Sequence, residues 1–341
     1  MRYIGGKANL VDIIIDEIRN LHAETVIDVF AGSGVVSSRL DASGFKVISN
    51  DILHFSYIIN KANLTLSHKP GYFGLPGIDP IIFLNHLTIE DTPFLLDDCF
   101  IWKNYSHHNG CERMYFQEKN ALRIDLIRKT IESWRLNGQV NDTEYTYLLS
   151  RLILSVPYVS NIAGVYGAYL KHWDTRSFKD LVLLEASEWA KNAEMNQAYN
   201  VDYQELLPNV QADVLYADPP YNTRQYLPNY HVLETISRYD YPEIKGVTGM
   251  RPYEDREKSD FCSRVRVKNA FEELIRLAHV NHVIISYNNE GLMSTADLAE
   301  LCQDYAISGT FKLLEFPYRR YKNHTGSENR VNEQMYIFSK R

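Results

Sequence analysis

The stretch Thr25-Val26-Ile27-Asp28-Val29-Phe30-Ala31-Gly32-Ser33-Gly34 decides how this chain is read. Its first six residues form a short apolar run suited to a buried strand, and Ala31-Gly32-Ser33-Gly34 supplies a tight glycine turn. Val35 to Ala42 then carries helical spacing, and Lys46 to Asn50 is the next strand, closed by Asp51. Strand, glycine turn, helix and strand make a βαβ unit of the kind that holds nucleotides at its strand ends. The dinucleotide fingerprint is incomplete, because the third glycine position is filled by Ser37. A pyrophosphate is therefore not the expected ligand. Asp51 lies 17 residues beyond Gly34, where an acidic side chain accepts from ribose hydroxyls. An adenosine without a phosphate suits this pattern best.

Outward from this unit, further strands are expected at 198–201, 214–217, 283–287, 311–316 and 334–338, giving an α/β sheet of about seven strands. Between roughly 65 and 195 the alternation lapses into aromatic, polar and basic sequence, with helices expected over 121–136 and 144–154. The expected organisation is a catalytic domain built from 1–65 and 196–341, with 66–195 as an inserted, largely helical domain.

Composition narrows the function classes. The chain has 341 residues, 45% of them hydrophobic, so a sizeable core is expected. No apolar run is long enough for a membrane span and no secretory leader is visible at Met1-Arg2-Tyr3, so a cytoplasmic location is expected. Cys99, Cys111, Cys262 and Cys302 lack C-x-x-C spacing and read as reduced thiols, and no metal site is expected. A net charge of −7 argues against indiscriminate coating of polyanions and leaves room for a local basic groove. Basic residues cluster at Arg113 to Arg135, at Arg251 to Lys268 and at Arg319, Arg320 and Lys322; each cluster reads equally as a solvated helix face.

The second informative run is Ala217-Asp218-Pro219-Pro220-Tyr221, which follows the apolar segment ending at Tyr216. Two prolines fix φ and donate no backbone hydrogen bond, so the carbonyls of this turn are rigid acceptors. Asp218 adds a side-chain acceptor and Tyr221 an aromatic face. Such a site suits a planar group bearing an NH₂, for example a nucleobase. On its own the tripeptide reads as well as a proline-stiffened loop.

Together, Gly32-x-Gly34, Asp51 and Asp218-Pro219-Pro220-Tyr221 resemble the S-adenosylmethionine-dependent DNA adenine-N6 methyltransferases of the Dam-like D12 class. Arg2-Tyr3-Ile4-Gly5-Gly6-Lys7 is similar to the N-terminal cofactor motif of that class. The resemblance implies a Rossmann-like methyltransferase sheet, with Tyr3, Lys7, Asp28, Phe30, Gly32, Gly34, Asp51, Asp202 and Asp218 toward the cofactor. It implies Asp218, Pro219, Pro220 and Tyr221 as the catalytic set, double-stranded DNA as substrate, and a target-recognition role for the insert. Cofactor motifs precede the insert and the catalytic motif follows it, which resembles the α order of this class. Asn222-Thr223-Arg224-Gln225-Tyr226 and His231-Val232-Leu233-Glu234-Thr235 resemble methylases of type IIS restriction systems, implying a cognate endonuclease that acts on the same site.

The chemistry follows from the residues as well. An adenine N6 lone pair is delocalised into its ring, so acceptors at Asp218 and Pro219 must aim the amine at the methyl donor, and positioning plus electrostatics supplies most of the catalysis. A flipped base is required, because the amine cannot be reached inside a duplex. A route to cytosine C5 needs a thiolate nucleophile, which the family that uses it presents in a Pro-Cys dipeptide, and here the cysteines follow Asp98, Gly110, Phe261 and Leu301. Methylation of cytosine N4 uses the same acceptors and stays open, as do RNA or protein-amide methylation and a catalytically silent DNA-binding relative. Lys171, at the end of Asn161 to Lys171, and Arg224, Tyr226 and Arg319 are weaker candidates for DNA contact. The mixed-charge stretch 251–268 reads as a loop that orders on DNA.

Overall fold

The computed structural model describes Lys7 and residues 10–108, 110–254, 257–318 and 331–341, so Tyr3 and Arg319 lie outside the described residues. A sheet of seven strands runs through the molecule: β1 (Thr25–Asp28), β2 (Lys46–Asn50), β3 (Gln197–Tyr199), β4 (Gln211–Ala217), β5 (His279–Asn288), β6 (Lys312–Tyr318) and β7 (Val331–Ser339). Their order is β3-β2-β1-β4-β5-β7-β6. β7 alone runs antiparallel, seated between β5 and β6. β1 pairs in parallel with β2 on one side and β4 on the other, so strand order reverses there. A crevice outside the carboxyl ends of β1 and β4 is the expected consequence.

The seven expected strands are all present, and the ends differ for local reasons. β1 stops at Asp28, two residues before the expected end. Val29 still donates to the Tyr216 carbonyl, after which the chain turns and carries Phe30 toward the crevice. β4 begins earlier than expected because Asp213 clamps it to β1: its carboxylate accepts from the Glu24 and Thr25 amides and from the Thr25 hydroxyl at 2.8–2.9 Å. An apolar pattern does not register a charged residue used in this way.

Alternation along β4 explains the layers. Val214 and Tyr216 face a cluster with α1 (Val11–Asn20) and α2 (Val35–Ala42). Leu215 and Ala217 face the opposite cluster, and both sides of the strand are covered, as parallel strands require. A third cluster is helical. It joins α3 (His54–Thr65) to α4 (Pro80–His86), α5 (Phe100–Tyr105), α6 (Glu118–Leu136) and α7 (Asp142–Ser155). After the short α8 (Tyr203–Leu206), α9 (Tyr226–Arg238) joins the same cluster. The helices expected over 121–136 and 144–154 are α6 and α7, each slightly longer. α7 opens on a capping box, with the Asn141 side chain accepting from the Glu144 amide and Glu144 returning to the Asn141 amide. α10 (Val267–Leu277) and α11 (Thr295–Tyr305) complete the cluster on the Leu215 side. Among the described residues no helix is long and apolar enough to cross a membrane.

Candidate active site

The carboxyl ends of β1, β2 and β4 open onto a cleft of about 450 Å³. Asp28 ends β1, Asp51 follows β2 and Asp218 follows β4, so three carboxylates from separate parts of the chain line one space. Phe30, Gly32 and Asp202 line it too, as does Lys7. Gly34 lies just behind, at the start of α2, with φ +78°. A Cβ there would meet Asn60 Oδ1 at 2.6 Å, and the Asn60 amide in turn donates to the Gly32 carbonyl, so only glycine fits the turn.

Each carboxylate is held differently. Asp51 accepts from the Gly32 amide at 2.8 Å and the Leu53 amide at 2.9 Å, bonding the glycine turn to the end of β2. Asp28 accepts from the Ser37 hydroxyl at 2.6 Å. The residue that breaks the dinucleotide pattern thus serves as the partner of the buried acid at the end of β1. Burial pushes both acids up to about 7, against the opposing pull of these hydrogen bonds. Burial likewise pushes Asp218 to about 6, with Lys7 opposing. The Asp218 side chain keeps 19% of its surface open to the cleft, so water screens that push until a ligand displaces it. Lys7 is itself buried, which alone would lower it, yet Asp218 and Glu333 hold its ammonium above the ordinary lysine range. Its Nζ lies 3.1 Å from Asp218 and 2.9 Å from Glu333.

Of the Asp-Pro-Pro-Tyr turn, Asp218 and Pro220 line the cleft. Tyr221 is half-buried against the cluster on the Leu215 side of the sheet, and its carbonyl accepts from Leu292. That contact depends on a glycine at 291, where a Cβ would strike the Tyr287 ring. Phe30 is fixed edge-on by Tyr203 and Phe261, at centroid distances of 5.9 and 5.3 Å. Asp202 caps α8 by accepting from the Gln204 amide.

The candidate DNA contacts separate. Tyr226 lines the cleft at the start of α9, whereas Lys171 and Arg224 are exposed outside it. The run 161–171 is anchored by Tyr166, which is buried and bonded to Ser160, with its carbonyl taken by Tyr115. Within the stretch 251–268, Ser259 is tied down near the Asp-Pro-Pro-Tyr turn: the Gln225 side chain exchanges two hydrogen bonds with its backbone. The first basic cluster is largely inward or paired. Arg128 is buried on the Ile236 and Ser237 carbonyls, Arg113 donates to the Gly246 and Val247 carbonyls, and Lys119 pairs with Asp180.

Three asparagines and Glu333 escaped sequence reading. Asn50 donates to Val29 and Val201, Asn200 to the carbonyls of Asp51 and Ile52, and Asn60 to Gly32, so amide side chains stitch the strand ends together. The signal for Asn50 was present, since it directly precedes Asp51 at a strand end. Glu333 had none.

Comparison with known proteins bears directly on this arrangement. The chain is 41% identical over its whole length to the type II methyltransferase M.FokI of Planomicrobium okeanokoites, and 35% identical to the modification methylase StsI of Streptococcus sanguinis. It spans about half the length of these relatives, 53% and 52% respectively. It is also 33% identical to the type II methyltransferase M.NlaIII of Neisseria lactamica, covering all of this chain and 99% of that one. The likeness to a solved magnesium protoporphyrin IX methyltransferase from Synechocystis PCC 6803 is remote, with 9% identity and a TM-score of 0.34 over 97% of this chain and 79% of that one. The D12 class of N6 adenine-specific DNA methyltransferases matches residues 3–301, a span that includes the glycine turn, Asp51 and the Asp-Pro-Pro-Tyr turn. With that match and these relatives, the chain belongs to the D12 class N6 adenine-specific DNA methyltransferase family.

Proposed function

We propose that this chain transfers a methyl group from S-adenosylmethionine to N6 of an adenine flipped out of double-stranded DNA, at a specific site. The observation that carries the reading is the position of Asp218: it directly follows β4 and lines a cleft shared with Asp28 and Asp51, in a chain of the D12 class. The proposed cofactor suits the donor set. Asp51 spends one acceptor position of each oxygen on backbone amides and has capacity left for hydroxyls. Gly32 lets backbone approach closely, Phe30 is an aromatic ring held in place, and Asp202 is a further acceptor in the lining. When bound, the cofactor supplies an electrophilic methyl on a sulfonium centre. Tyr3, Lys7, Asp28 and Gly34 complete the proposed cofactor set.

Asp218 and the Pro219 carbonyl would accept the two amine hydrogens, holding the N6 lone pair toward the methyl. The amine proton, acidic only after alkylation, would pass to Asp218 or to water. Pro220 stiffens the turn, and Tyr221 stacks on the flipped base, returning roughly 1–3 kcal/mol of the flipping cost. Residues 1–65 and 196–341 form the catalytic domain in this reading, and 66–195 reads the target. Lys171, Arg224, Tyr226 and Arg319 contact the DNA. In this reading the enzyme acts in the cytoplasm beside a cognate restriction endonuclease; what supports the pairing is that the relatives are named a type II methyltransferase and a modification methylase.

Incubation with labelled cofactor and mixed-sequence duplex DNA, followed by nucleoside analysis, tests this. N6-methyladenine is the expected product. N4-methylcytosine, or no product from folded protein that binds the cofactor, overturns it.

A further inference from the structure

The Lys7 ammonium serves two acids. Glu333 reaches it from β7, where it pairs with Asn288 of β5 on one side and Phe316 of β6 on the other. Asp218 reaches it from the end of β4, and β5 lies between these strands. The lysine therefore spans a strand end to join acids 115 positions apart in the sequence. We propose that Glu333 is a positioning residue for methyl transfer: it shares the Lys7 ammonium with Asp218 and thereby keeps the Asp218 carboxylate a strong acceptor for the target amine. This rests on the adenine-N6 reading above.

The argument is electrostatic. An ammonium paired with one carboxylate makes a neutral couple in which the cation draws electron density from its partner and weakens it as an acceptor. A second carboxylate on the same ammonium leaves the trio with a net negative charge. Lys7 then stays fixed and fully protonated, while Asp218 remains basic enough to receive a proton. Among the described residues, the groups facing Asp218 apart from Lys7 and Glu333 are Asp28 of β1, Tyr216 of β4 and Tyr226 of α9. Both phenols are pushed well above their ordinary range by burial, and Tyr216 donates to Ser286, so both stay neutral. Asp28 is bonded to Ser37. Among the described residues, Glu333 is thus the acid that competes with Asp218 for the lysine.

A purely structural tie between the N-terminal segment and β7 would leave Asp218 unaffected by the charge at 333. The test is a titration of cofactor-free protein, isotope-labelled at the aspartate carboxyl carbons, with the Asp218 signal assigned by its loss in Asp218→Asn. The wild-type midpoint is expected at about 6. Glu333→Gln should lower it, because a like charge has been removed. Lys7→Gln should raise it above about 7, because the opposite charge is gone. Single-turnover methylation by Glu333→Gln near neutral pH should fall about tenfold while cofactor affinity changes less than about twofold. Glu333→Asp should restore both the midpoint and the rate. An Asp218 midpoint that does not move in Glu333→Gln overturns the proposal. If that variant does not fold, an unmoved midpoint in Lys7→Gln does the same. The titration needs no turnover, so failure of the trio is distinct from failure of wild-type protein to methylate adenine.

Discussion

Two carboxylates, Asp218 at the edge of the cleft and Asp125 buried in the helical layer, begin from the same side-chain chemistry and end in opposite surroundings. Asp125 sits on α6 and caps α5, accepting from the Ile101 and Trp102 amides at 2.9 and 2.7 Å and from the Tyr239 hydroxyl. Asp218 has Lys7 at one oxygen and a face open to the cleft. Burial raises both, Asp125 to about 7 and Asp218 to about 6. A displaced titration therefore does not distinguish a structural acid from a reactive one. What distinguishes them is whether the protein has already supplied the hydrogen-bond donors. The same contrast runs through the cations: Arg128 is saturated by carbonyls, Glu132 and Tyr145, whereas Lys7 reaches the cleft.

Asp218→Ala gives the largest expected effect. Its methyl-transfer rate should fall at least about 10³-fold, as loss of a preorganised polar group at a reacting centre does, with thermal stability little changed. Equal loss of folding and activity would erase the contrast with Asp125. In wild type, activity should rise with pH through about 6 and then level, since the ionised carboxylate is the acceptor form.

Asp125→Ala should do the reverse, costing about 2–4 kcal/mol of stability through orphaned amides while leaving the rate within about threefold at temperatures where it is folded. Its raised titration also has a sign. Folded Asp125 holds its proton from the ordinary 3.8 up to about 7, where the unfolded chain has released it. Its contribution is therefore full below the lower value and is lost as pH rises through the higher one. The difference in unfolding free energy between wild type and Asp125→Asn should narrow across that window, which denaturant titrations at several pH values would read.

Gly34→Ala is expected to have a smaller effect. A side chain at φ +78° with a 2.6 Å contact on Asn60 should cost about 1–2 kcal/mol, and calorimetry should show weakened cofactor binding because Asn60 also holds Gly32. The smallest effect belongs to Lys119→Ala. Its exposed pair with Asp180 should contribute under about 0.5 kcal/mol, and the salt dependence of DNA binding should not change if that cluster is bracing rather than phosphate contact.

Much of this was legible beforehand. β2 and α2 occupy the spans their apolar spacing predicts, because a strand and a helix flanking a glycine turn are set by local periodicity. Asp51 and Asp218 are legible as acids that follow a strand end, whereas Asp28 lies inside the expected strand and comes only from the resemblance. The basic cluster at 113–135 was not resolved by pattern, since a solvated arginine and one buried on carbonyls look alike in sequence. Arg128 and Arg113 owe their roles to main-chain oxygens more than 100 positions away.

By itself the sequence determined the βαβ unit, the glycine turn, the Asp-Pro-Pro-Tyr turn and thereby the family, because each is encoded by residues adjacent in the chain. Only the tertiary structure decided that Ser37 serves Asp28, that Gln225 clasps Ser259, and that Lys7 stands between Asp218 and Glu333. The physical reason is that a buried charge is defined by what surrounds it. Those surroundings come from strands that meet only when the sheet has formed.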